Sequence, residues 1–361
     1  MTFEEVRAQF PVLERWAYLN AGTNGPLARA TLEAVEEKLR LEARDGRGGG
    51  PYFERMLALR DETRAALAGV LAAPVENVAL VYSTTDACNV VLAGLGLGPG
   101  DEIVTTDEEH FGMLGPLAGS GARVRLANTL GRPPEEHLDA ILAEVGPRTR
   151  LLAISHVSWI SGNRLPIEEL RGATELPILV DGAQSVGAIE LDPAPFDFYT
   201  ASCQKWLCAP DVTGALYVRD PESLRVARVG YPSAESYEPA GTFVPKAGAR
   251  RFDTGWWPSS SLAGLCAAIS VRPEWAYGRA RETADRLRER IAERRRELVT
   301  ARGQATIVSW REEGDTAELV KALYEAGVIV RELPGKGILR ASCGYWTSDG
   351  DLERLLDALP T

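Results

Sequence analysis

In the stretch ILVDGAQSVGAIELDPAPFDFYTASCQKWLCAPDVTGALYVRD, Ile178 to Asp220, a carboxylate closes one apolar run and a lysine follows another. Asp181 ends ILVD, and Lys205 sits among small and aromatic residues just after FYTAS. A lysine amine can condense with an aldehyde. A carboxylate can keep a pyridine nitrogen protonated, so that the ring draws electrons from the alpha carbon of an amino acid. Pyridoxal phosphate (PLP) chemistry requires both groups together. Taken singly, each has a plainer reading, Lys205 as a surface lysine and Asp181 as a helix cap or turn residue.

Other candidates are weaker. STTD, Ser83 to Asp86, joins an apolar run to a helical one and offers hydroxyls and free backbone N–H groups to an anion. GLGLGPGDE, Gly94 to Glu102, looks like a dinucleotide fingerprint, but it follows a helix and precedes a strand, the reverse of the required order, and reads as a turn. His110, His137 and His156 have no clustered Cys or carboxylate partners, so no metal site is expected. The five cysteines are odd in number and scattered, which argues against a disulfide framework.

The elements that must position these residues alternate. NVALVYS, EIVTT, RVRLA, RLLAISH, LPILVD, FYTAS and GALYVR read as strands, with helical or loop segments between many of them, a pattern that predicts an α/β domain with a mostly parallel sheet. Val229 to Gly255 is rich in Gly, Pro and Ser and reads as a passage between domains. Beyond it a long charged helix, the apolar runs TIVSW, VIVREL and ILRASC, a helix near Thr316 to Ala326 and a final helix predict a smaller α+β unit. The expected division is an N-terminal arm, 1–17, joining the small domain, a large domain, 18–245, and a small C-terminal domain, 246–361. A net charge of −11 opposes non-specific nucleic-acid binding. The acidic start MTFEEVRAQF and the absence of a bilayer-length apolar run predict a cytoplasmic protein with no membrane partner.

The motifs in order, DGAQSVG, SCQKW and TGALYV, resemble those of the aminotransferase class V family of fold-type I PLP enzymes, the cysteine desulfurase-like group. YLNAGTNGPL, TDACN, DEEHFGML, SHVSWISGNRLPI, RFDTG and ILRASCGYW extend the resemblance over nearly the whole chain. It implies PLP carried on Lys205, with His110 flat over the pyridine, Asp181 on the ring nitrogen and Gln184 at the ring hydroxyl oxygen. Thr84, Thr85, Ser202 and Gln204 would hold the phosphate. Gln204 stands where the family usually has His, keeping an N–H donor but not a charge. A homodimer is implied, with each site completed across the seam.

The resemblance also assigns the substrate carboxylate to Arg340, with Arg331 as a second candidate. Desulfurases carry, in the loop before that arginine, a cysteine that takes sulfur as a persulfide. Here the intervening residues are ELPGKGIL, without cysteine, and Cys343 follows inside an apparent strand. Trp159 replaces an asparagine of many relatives, and Trp256 replaces a threonine that reaches the neighbouring subunit's phosphate. Both would add apolar bulk to the site, or both are core. In pattern the chain is most similar to cysteine/cystine C–S lyases and isopenicillin-N-epimerase-like members. The expected activity is that of a C–S beta-lyase, with epimerase or aminotransferase as the alternative. A desulfurase or a non-catalytic scaffold fits the residues less well.

Overall fold

Apolar runs without alternation suit strands covered on both faces, and most of them occupy the centre of the computed structural model, which describes residues 1–360. After β1 (Ala17–Tyr18) come β2 (Val78–Val81), β3 (Glu102–Thr106), β4 (Arg123–Ala127), β5 (Thr149–Ser155), β6 (Ile178–Asp181), β7 (Phe198–Ser202) and β8 (Gly214–Val218). The last seven form one sheet in the order β2-β8-β7-β6-β5-β3-β4. From β4 to β7 the neighbours are parallel, whereas β8 runs against both β7 and β2. β2 therefore points the same way as the parallel set. Side chains alternate between two cores: Leu152, Ile154, Ile178 and Val180 join one, and Leu151, Ala153 and Leu179 the other. The expected α/β architecture is present.

The Gly- and Pro-rich passage holds a short hairpin that sequence reading missed, β9 (Ala234–Tyr237) with β10 (Phe243–Pro245). Strands this brief, one ending in Pro, carry too little periodicity to be seen. Next, Asp253 accepts hydrogen bonds from Arg60, Arg64 and the Leu80 N–H. The helix Ser259–Ser270 lies against Arg29–Asp45, where a Cβ on Gly264 would meet Val35 and Pro210 at 2.7 Å. These contacts hold 253–270 to the large unit. We propose that the passage to the small unit lies between Ser270 and Ala276 rather than at 245.

The smaller unit contains β11 (Ile307–Arg311), β12 (Val328–Ile329), β13 (Arg331–Leu333) and β14 (Ile338–Ser342), with β14 between β11 and β13 in an antiparallel sheet. β1 pairs in parallel with β12. The short helix Phe3–Ala8 is tied to the same region, because Arg7 donates to Asp351 at 2.6 Å and to the Trp346 carbonyl at 2.7 Å. No helix of the described residues is long and apolar enough to cross a membrane.

Candidate active site

In sheets of this kind ligands sit beyond the carboxyl ends of the strands. Here the ends of β2, β3, β5, β6 and β7 open on one cavity of about 170 Å3. β2 is followed there by Ser83, Thr84 and Thr85, and β3 by His110. Ser155 closes β5 and Asp181 closes β6, with Gln184 in the turn beyond. β7 brings Ser202, Gln204 and Lys205, so every expected cofactor residue lines this space. No group of His, Cys, Asp and Glu among the described residues could hold a metal ion.

One end of the cavity is built for an anion. Ser83 caps the helix Thr84–Leu95, its hydroxyl accepting from the Asp86 N–H at 3.2 Å. Thr84 N–H donates to Ser202 Oγ at 3.2 Å, and the Ser202 hydroxyl donates to Thr84 Oγ1 at 3.0 Å. The helix start adds its partial positive charge. Gln204 Oε1 is buried without a partner. The approach of this turn depends on Gly214 of β8, where a Cβ would lie 3.0 Å from Ser83 N.

At the other end Asp181 is buried, and its Oδ1 accepts only the Ala183 N–H, at 2.8 Å. Burial pushes its pKa above the usual carboxylate range against the opposing pull of Lys205. Burial also lowers Lys205 to about 8; Asp181 opposes this shift, while Arg340 and Arg331 add to it. His110 caps the helix Phe111–Gly119, with Nδ1 accepting the Gly112 N–H at 2.9 Å. Burial, then Lys205, Arg331 and Arg340, pull it down to about 4, leaving a neutral ring suited to stacking. Gln184 Oε1 accepts from Trp206 Nε1 at 2.9 Å and its Nε2 donates to the Gly22 carbonyl at 2.9 Å. One amide hydrogen is left for a ligand.

Arg340 is buried and donates to the Trp159 carbonyl at 2.9 Å and to Thr23 Oγ1 at 3.4 Å. Arg331 reaches the same hydroxyl at 3.1 Å. Thr23 was overlooked in the sequence because a threonine in a turn carries no signal of its own. Trp159 lines the cavity and stands edge-on to His110, centroids 5.0 Å apart, with its Nε1 unpartnered. Trp256 does not share this cavity. It is 37% exposed, under the Arg60 guanidinium and 6.1 Å from Tyr231, so the alternative that both tryptophans are core does not hold for Trp256.

The donor set fits PLP: an anion seat, a buried carboxylate with spare acceptor capacity and a buried amine lie around one space, with an unpaired Gln204 oxygen beside them. The model of the aminotransferase class-V family matches residues 17–350. Isopenicillin N epimerase of Streptomyces clavuligerus is 30% identical over 99% of this chain and 97% of its own length. A cysteine desulfurase of Klebsiella pneumoniae is 33% identical over 61% of this chain and 59% of its own. Among solved structures, the cystine C–S lyase C-DES in complex with its product cysteine persulfide superposes with a TM-score of 0.90 at 26% identity, covering 97% of this chain and 98% of that one. Another structure of C-DES holds glycine covalently linked to the PLP cofactor. Matched over nearly its whole length by sequence and by fold, the chain belongs to the aminotransferase class V family and is a PLP-dependent enzyme.

Proposed function

We propose that the enzyme is a C–S beta-lyase acting on a cysteine- or cystine-type amino acid. The observation that carries this reading is a pair of guanidiniums, Arg331 and Arg340, with neither a carboxylate partner nor a reachable thiol beside them among the described residues. Cys343 is fully buried at the end of β14, with burial pushing its thiol up to about 12, and the turn Pro334 to Gly337 has no cysteine. A persulfide carrier is missing where a desulfurase would need one.

When bound, PLP withdraws electrons from the alpha carbon of its substrate. Thr84, Thr85, Ser202 and Gln204 would hold its phosphate, Asp181 would keep the ring nitrogen protonated, Gln184 would donate to the ring oxygen and His110 would lie over the ring. Arg340, helped by Arg331, fixes the substrate carboxylate and thereby the direction of the alpha C–H bond. Lys205 Nζ takes the alpha proton, a task suited to an amine whose proton affinity is lowered toward neutrality. The Cβ–S bond then breaks with both electrons on sulfur, and hydrolysis leaves pyruvate and ammonia.

An epimerase is the second reading, supported by the identity to isopenicillin N epimerase over nearly the full length. We also infer a homodimer, because Phe53, Tyr231, Tyr237 and Trp256 form an exposed aromatic patch of the kind that marks interfaces. Incubation of the holoenzyme with cystine, cysteine, cysteine sulfoxides and unsubstituted amino acids tests the reaction. Pyruvate and a sulfur-bearing product in equal amounts are expected; inversion or keto-acid formation without C–S cleavage would refute it.

A further inference from the structure

Glu109 immediately precedes His110 and is buried, 4% exposed. Its Oε1 accepts from the Thr106 hydroxyl at 2.9 Å and from the Ser155 N–H at 3.0 Å, and its Oε2 is bonded to the Ser155 hydroxyl. No cation pairs with it among the described residues. The ionisable groups that face it are Asp181 from β6 and Cys88 from the helix Thr84–Leu95. The neighbouring Glu108 turns away to Ser161. Ser155 closes β5 directly opposite Asp181 in the β5–β6 register and lines the cofactor cavity. Cavity, serine and carboxyl therefore form a row.

The serine hydroxyl has one hydrogen to give. When Glu109 is ionised, its Oε2 can only accept, so Ser155 must donate to it and shows the cavity lone pairs alone. When Glu109 carries a proton, the acid can donate to Ser155 Oγ, and the serine hydrogen is free to turn toward the cavity. We propose that Glu109 is a positioning residue for the cofactor site: through the hydroxyl of Ser155 it decides whether the cavity is offered a donor or an acceptor beside Asp181. Burial supports the donor state at neutral pH, because it pushes Glu109 up to about 8 against the pull of the Ser155 and Thr106 hydrogen bonds, with Asp181 adding to the rise. The inference rests on PLP occupying this cavity and is independent of which bond the enzyme breaks.

Two variants and two measurements test it. Glu109→Gln keeps the shape and cannot ionise; Ser155→Ala removes the hydroxyl and leaves the acid. The first measurement is the melting temperature of the cofactor-free protein against pH. A carboxyl raised on folding contributes stability at low pH that is lost as pH rises through its folded value. Wild type should lose stability up to about pH 8, Ser155→Ala, without a hydrogen bond that lowers Glu109, should keep the loss and extend it to higher pH, and Glu109→Gln should lack it. The second is the pH titration of the bound chromophore's absorbance. Wild type should show a component that titrates with Glu109, above the usual carboxylate range, and both variants should lack it. The split in Ser155→Ala, with the stability loss kept and the spectral component gone, is the signature of action through the serine. A spectral component that survives in Ser155→Ala, or a stability profile of Glu109→Gln that matches wild type, overturns the proposal. If Glu109→Gln does not fold, the Ser155→Ala spectrum decides alone.

Discussion

Arg331 and Arg340 lie directly opposite each other in the register of β13 and β14, and both guanidiniums donate to the one hydroxyl of Thr23. Two like charges are thus held side by side, and burial, with Arg331 adding to it, works against the charge on Arg340. An arriving carboxylate relieves both effects. Thr23 in turn donates to Asn20 Oδ1 at 2.8 Å, which fixes its lone pairs toward the arginines.

Arg340→Ala should therefore raise KM strongly, since truncating one partner of a desolvated charge pair costs about 2–5 kcal/mol. Lysine should restore charge without the planar fork and rescue only in part. Arg331→Ala should weaken the same substrates less. The measurement is the ratio of kcat/KM for an amino acid to that for its amine analogue. Wild type should discriminate strongly and Arg340→Ala much less; equal ratios would place the carboxylate elsewhere.

Lys205 should leave a mark on stability as well as on turnover. In the cofactor-free protein its folded value is lowered by burial to about 8, below the 10.5 of an ordinary lysine. Between those values the unfolded chain holds a proton that the folded one has released, so stability rises with pH across this window. The gain is on the order of 3 kcal/mol at about 1.4 kcal/mol per pH unit. Denaturant unfolding of wild type and Lys205→Met from about pH 8 to about pH 10.5 should show the rise in wild type alone. The same variant should fail to retain cofactor after borohydride treatment, whereas wild type should carry it on the peptide containing Lys205. Label on another lysine would refute the assignment.

The aromatic patch gives a prediction for assembly. Trp256→Glu and Tyr231→Glu each place a charge on a face that would be buried between two copies. Sedimentation should show wild type as a dimer and the double variant shifted toward monomer. An unshifted double variant would put the seam on another face.

The strands, their order of appearance and the Asp181–Lys205 pair were legible because each rests on a local signal, an apolar run or a motif in fixed order. What escaped was set by contacts distant in sequence. Thr23 meets Arg331 and Arg340 only because β1 pairs with β12 and brings the turn after it to the end of β14. Glu109 looks like one more acid in DEEHFGML, and its burial follows from the packing of β3 beside β5. Trp256 read equally well as core or as part of a site, because its motif carries no signal of exposure; Arg60 and Tyr231 hold it on an outer face.

Cys343 separates elimination from desulfuration. It is fully buried, its backbone N–H donates to the Thr306 carbonyl at 2.8 Å, and it packs in the core with Leu339, Ala341 and Leu352. With its thiol pushed up to about 12 by burial, it holds almost no thiolate near neutral pH, and the thiolate is the nucleophile. Cys343→Ala should cost on the order of 1 kcal/mol of stability through the small void it leaves. It should also leave the rate of sulfur release from cystine nearly unchanged. Sulfur should be found on the small product, and mass spectrometry of enzyme quenched during turnover should find no added sulfur on the peptide containing Cys343. A persulfide on that peptide, together with an inactive Cys343→Ala that still folds, would return the enzyme to the desulfurases.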